Sequence, residues 1–364
     1  MSAVSRLFDR LLGRGDWAVT VPTLDGPLLP NQDLEEAGLF AGLAEADNLV
    51  RTEKGMLASS ANLLMRFDSD GKPEVLQESP GEITALAHAR GMTALAIDGK
   101  GVIIRGGLHD GREATGDEAR RLSCVTALTF LDSNTLLVAN GSASLPASAW
   151  RRDLMQKNAS GSVWRLDLKS GRLELIRDGL AWPAGIATTG SNRVYVTEAW
   201  RHRVLAIDLA SKATVPVLEH LPAYPARIAP AFNAGYWLTF YSVRNQLVEF
   251  ILREETYRKR MLAEIPEAYW MAPSLGSWRD YREPMQGSQL KQMNVLKPYA
   301  VTRSYGLVVH CDQNMKPLSS FHSRADGRVH GTLSACEAGD DLLVASRGGS
   351  RIVRLAKVAG GKRG

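Results

Sequence analysis

The chain has 364 residues, 45% of them hydrophobic and 23% charged, with a formal net charge of +5. That is the composition of a globular protein with room for two average domains or one large all-β unit. The basic residues are scattered rather than gathered on one face, which argues against a nucleic-acid binder, and no run of about 18 apolar residues marks a membrane helix.

The first sixteen residues, MSAVSRLFDRLLGRGD, carry Val4, Leu7, Phe8, Leu11 and Leu12 at helical spacing, with Arg6, Arg10 and Arg14 on the remaining surface. This predicts a short amphipathic helix, docked on its own domain or against a membrane surface or membrane-associated partner such as a transport component. From residue 46 the pattern changes to short strands separated by turns. ADNLVRTEKGMLASSANLLMRFDSDGKPEVL, at 46–76, gives about four strand-like pieces with turns at Lys54-Gly55 and Asp70-Gly71. The same rhythm returns from Ile83, from Cys124, from Pro183, from Pro225 and from Val329.

Copies of about 40 residues with four strands each predict propeller blades. Six copies can be counted, so the expected fold is an all-β, six-bladed β-propeller over 17–358, followed by a flexible tail at 359–364. The last copy holds only three strands of its own. WAVTVPTL (17–24) is a candidate for the missing outer strand, and closing the ring would remove two exposed sheet edges. Two inserts, at about 142–160 and 242–304, read as helical, the second with Ser242 as its expected N-cap and Pro266 beyond its end. Both should roof one face. The cysteines, Cys124, Cys311 and Cys336, show no metal or disulfide spacing, and reduced thiols in a cytoplasmic setting are expected.

The stretches DGPLLPNQDLEEAGLF, GSVWRLDLKSGRLELIRDGLAWPAGIA, VYVTEAWRHRVLAIDL and LPAYPARI occur in that order along the chain. Together they resemble the strictosidine synthase-like family, within the gluconolactonase and paraoxonase superfamily. The resemblance implies a six-bladed propeller with a small-molecule site in its central channel. Metal-dependent members hold a cation on the axis through acidic and Asn side chains near the starts of inner strands. Carried across, that pattern matches Asp47, followed by Asn48, in the first blade. At the other positions it meets Thr126, Ala184 and Ala226, with Arg227 alongside. A hard divalent cation needs about six oxygens, so no metal and no cofactor is expected. The glutamate of strictosidine synthase itself falls at Leu333 or Ser334, so that mechanism does not transfer either.

The remaining polar residues supply the candidates. Asp47, His330 and Glu82 are the expected acid–base groups, His330 because imidazole titrates near neutrality. Asn48, Thr126, Trp182, Tyr224, Arg227 and Ser334 are the expected substrate-binding residues. Arg227 would either anchor an anionic group or pair with Asp47 across the axis. Glu198 and Arg201, in TEAWRHR, read as a structural turn. The leading expectation is a metal-independent hydrolase or lyase acting on a small organic substrate. A second is a non-catalytic small-molecule-binding or transporter-associated accessory protein, cytoplasmic or membrane-peripheral through residues 1–16. A third is a metal-dependent lactonase or esterase with relocated ligands.

Overall fold

The computed structural model describes residues 21–190, 192–277, 280–284 and 302–358, together with two short strands at 291–292 and 295–296. The expectations for residues 1–16 and 359–364 lie outside the described residues. Within them the chain is a six-bladed β-propeller. The inner strands are Ala46–Thr52, Ile83–Ala89, Val125–Phe130, Pro183–Thr188, Ala223–Pro230 and Thr332–Ala338. Each packs against the next, and the last returns to the first, so the ring is closed.

Four blades are antiparallel meanders of four strands taken in chain order; that of the fifth blade is interrupted before its third strand, Leu307–Cys311, by the long insert. The second blade has three strands. Its edge is finished by a bridge between Ile103 and Glu113 and by the helix Gly116–Arg121, which carries a Thr115/Glu118 capping box. The last blade takes its outer strand from the N-terminal side, but from Gly38–Gly42, which pairs with Arg351–Leu355. The closing strand is therefore not 17–24; of that segment, residues 21–24 are described and form no strand.

Every blade carries a register shift near the start of its inner strand. An extra residue in one strand re-aims the side chains around it. These six bulges are in step around the hub, and they contain Asn48, Thr84, Thr126, Ala184, Ala226, Arg227 and Leu333. They decide which residues face the axis.

The two inserts form a roof over this end of the channel. The first gives the helix Trp150–Gln156. The second gives the helices Gln246–Arg253 and Glu255–Glu264. The preceding strand runs on to Val243, and the N-cap is Asn245, whose side chain accepts from Val248 N, rather than Ser242. Roof and hub share an apolar cluster that includes Trp182, Ala184, Tyr224, Ala226, Tyr241, Val248, Ile251 and Trp270. No helix among the described residues is long and apolar enough to cross a membrane.

Candidate active site

Trp182 explains how the roof is seated on the hub. Its backbone is left-handed, with φ 59°, a conformation costly for a bulky side chain. Glu198, fully buried, compensates: Ala181 N donates to its Oε1 at 2.8 Å, while Arg201 Nη1 and Arg203 Nε donate to the carboxylate at 2.5 and 2.6 Å. Ala199 N and Trp200 N then donate to the carbonyls of Trp182 and Ala181. The indole, so fixed, stacks on Trp200 at 5.4 Å and donates to Tyr241 Oη at 3.1 Å. The structural reading of Glu198 and Arg201 agrees with this geometry.

Under the roof lies a cavity of about 100 Å³ lined by Asp47, Glu82, Thr84, Thr126, Trp150, Trp182, Arg227, Tyr241, Leu333 and Arg347, among others. Its polar wall is an ion-pair network. Arg227 Nη1 lies 3.1 Å from Asp47 Oδ1, and Arg227 Nη2 donates to Thr84 O at 2.6 Å. Arg347 Nη2 lies 2.7 Å from Glu82 Oε1, its Nε donates to Glu45 Oε2 at 2.8 Å, and its Nη1 lies 3.9 Å from Asp47 Oδ2. Burial works against the charge of Arg347, but Glu82, Asp47 and Glu45 outweigh it and hold the guanidinium pKa above its usual value.

The bulge in the first inner strand separates Asp47 from Asn48. Asp47 faces the roofed cavity, whereas Asn48, at φ 57°, lines a second cavity of about 350 Å³ at the other end of the channel. Asn48 Nδ2 donates to Ser59 Oγ and Ile83 O, while its Oδ1 is buried without a partner. Ser334 also belongs to this second cavity, where its Oγ accepts from Leu49 N at 2.8 Å. Arg227 borders both. The ion pair of Arg227 with Asp47 therefore forms the waist of the channel.

Two expected site residues line neither cavity. His330 is buried, with Nδ1 2.6 Å from Ser304 Oγ and Nε2 2.7 Å from Arg324 O. Burial lowers its pKa, partly offset by the Arg324 carbonyl. Both ring nitrogens are committed to structure. Tyr224 is fully enclosed and donates to Glu249 Oε1 at 3.0 Å, tying the fifth blade to the roof. Thr126 does line the roofed cavity, but its hydroxyl is directed at the carbonyls of Pro183 and Ala139. Arg347, in Ser346-Arg347-Gly348-Gly349, was missed by sequence reasoning. The signal available was a cation beside two glycines at the end of a second strand; at Gly348 a Cβ would strike Leu275 O of the roof.

The donor set does not fit an axial divalent cation. Ala184 and Ala226 are buried in the apolar cluster and offer no side-chain oxygen. The Asp47 carboxylate is held by two guanidiniums and by Asn48 N, which donates to Oδ1 at 2.6 Å. Among the described residues no group of three or more His, Cys, Asp or Glu side chains is placed to hold a metal.

No protein-family model matches the chain, and no curated protein matches it. Solved structures do. A protein provisionally assigned as a gluconolactonase aligns with a TM-score of 0.55 at 10% identity, covering 87% of this chain and 90% of that one. A gluconolactonase from Xanthomonas campestris gives 0.53 at 12% identity, covering 87% of each chain. A luciferin-regenerating enzyme gives 0.51 at 10% identity, covering 88% of this chain and 92% of that one. At such identities the likeness is one of fold, and the chain has the architecture of the gluconolactonase-type propellers.

Proposed function

We propose that the protein is a propeller hydrolase acting on a small ester or lactone, with no catalytic metal ion. The observation that carries this reading is the guanidinium of Arg227 on the Asp47 carboxylate, the acid that would otherwise ligate an axial cation. Positive charge is supplied at the hub by arginine. The strictosidine synthase-like motifs fit a propeller that works without metal, and the gluconolactonase-type fold fits hydrolysis at the channel mouth.

Glu82 is the general base. Its side chain is 24% exposed, one oxygen faces Arg347, and it borders the cavity. Asp47, at 4% exposed and paired on both sides, holds the two arginines in place instead. Glu82 takes a proton from water as the water oxygen bonds to the substrate carbonyl carbon. The resulting oxyanion is stabilised by the neighbouring guanidinium charge. The carbon–oxygen bond to the leaving group then breaks, and the proton passes from Glu82 to the departing oxygen. A cavity of about 100 Å³ admits the reacting end of a substrate and little more.

The test is a panel of aryl esters and five- and six-membered lactones, assayed with and without chelator. Turnover should survive chelation and fall by about 10²-fold or more in Glu82→Gln. Loss of turnover on chelation would refute the metal-free reading, and an unchanged rate in Glu82→Gln would refute the base.

A further inference from the structure

The second channel cavity, at the end away from the roof, has about 350 Å³ against about 100 Å³ under the roof. Small-molecule pockets generally span about 300–1,000 Å³, so this is the end of the channel with room for a whole ligand. Its walls are apolar, formed by side chains such as Leu86, Leu128, Ile186 and Ile228 from successive inner strands. The charged groups on it differ in how far they are already engaged. Glu337 is the one carboxylate of the lining, and both its oxygens are taken, by Trp237 Nε1 at 2.7 Å and Phe232 N at 2.6 Å. Arg51, by contrast, is exposed at the rim and pairs with no carboxylate among the described residues. Its guanidinium lies 5.0 Å from the Phe232 ring, which is itself 56% exposed. At the inner end stands Arg227, whose bonds to Asp47 and Thr84 O use only part of its five N–H donors.

We infer that this cavity is a second ligand site, separate from the hydrolytic one, and that it takes a small apolar carboxylate. The hydrocarbon body packs on the inner strands, and the carboxylate meets Arg51 at the mouth. Charge-assisted hydrogen bonds from guanidinium to carboxylate give the selectivity. The buried Asn48 Oδ1 lacks a donor, so the inner end of the cavity also accommodates a hydroxyl or a water.

The experiment uses 4-phenylbutyrate, 4-phenylbutanol and 4-phenylbutylamine, titrated into the full chain by calorimetry, with methyl NMR to locate them. The carboxylate should bind most tightly and the amine most weakly. Shifts should appear at the methyls of Leu86, Leu128, Ile186 and Ile228. Arg51→Gln should weaken the carboxylate several-fold and leave the alcohol unchanged. Ala89→Trp, at a half-buried lining position, should weaken both by about tenfold or more. Equal or tighter binding of the amine, absence of saturable binding by the carboxylate, or shifts confined to Leu275 and Leu333 under the roof would each overturn the inference. None of these outcomes bears on hydrolysis, because the Glu82→Gln assay reads a different cavity.

Discussion

Replacing Arg227 with Met would keep most of the side-chain volume and remove the charge at the waist of the channel. The Asp47 side chain is 4% exposed and that of Arg227 16%. Removing one partner of such a buried pair typically costs about 3–5 kcal/mol, because the other charge is left behind without compensation. Two features moderate that figure: Asn48 N still donates to Asp47 Oδ1 at 2.6 Å, and Arg347 Nη1 remains 3.9 Å from Oδ2. One acts the other way, since Thr84 O loses its donor, a bond to a charged group worth about 1.5–3 kcal/mol. The expected net loss for Arg227→Met is about 3 kcal/mol. The double variant Arg227→Met/Asp47→Asn should recover about 2 kcal/mol of it, since no bare carboxylate then remains. Equilibrium urea unfolding of the wild type, both single variants and the double variant completes the cycle. A loss below about 1 kcal/mol in Arg227→Met, or a double variant no more stable than Arg227→Met, would show that the pair is not the buried brace described above.

Other outcomes follow from the same geometry. Trp182→Ala removes a side chain that is 1% exposed and stacked on Trp200, so unfolding stability should fall by about 3–5 kcal/mol and near-UV circular dichroism should lose aromatic signal. Glu198→Gln replaces a fully buried carboxylate serving Arg201, Arg203 and Ala181 N; a loss of about 2–4 kcal/mol is expected, measured by urea unfolding, whereas a surface turn would lose almost nothing. Burial and the neighbouring Arg244 lower the pKa of His202 to about 3, and burial lowers that of His322 to about 4. Both rings stay neutral in the fold while the unfolded chain takes up protons below about pH 6.5. Each should therefore subtract stability as pH falls, by roughly 2 kcal/mol between pH 7 and 5; His322→Gln should flatten that slope, and an unchanged slope would contradict the assignment. Burial also raises the thiols of Cys124 and Cys311 to about 12, so iodoacetamide at pH 8 should label them only after unfolding.

The propeller was legible in the sequence because its signal is local and repeated. Alternating short strands and turn residues recur at one period, and each blade reports its own pattern. The closing strand was not legible, for a physical reason. Gly38–Gly42 reads GLFAG, with little β-branched or alternating character, whereas 17–24 is richer in both. What makes Gly38–Gly42 a strand is the open edge of Arg351–Leu355, supplied from the far end of the chain.

The candidate site divides along the same line. Residue type and resemblance determined that acidic, basic and aromatic groups gather at the starts of the inner strands, and Asp47, Glu82, Thr126, Trp182 and Arg227 do share the roofed cavity. Only the tertiary structure decided that Asn48 and Ser334 belong to the opposite cavity, that His330 and Tyr224 are buried in structural bonds, and that Arg347 completes the network. Side-chain direction on a strand has a period of two, and each inner strand breaks that period with a bulge whose place depends on pairing with its neighbour. Composition and motif order belong to the chain alone, whereas the side of the channel on which each polar group emerges is fixed by register between strands.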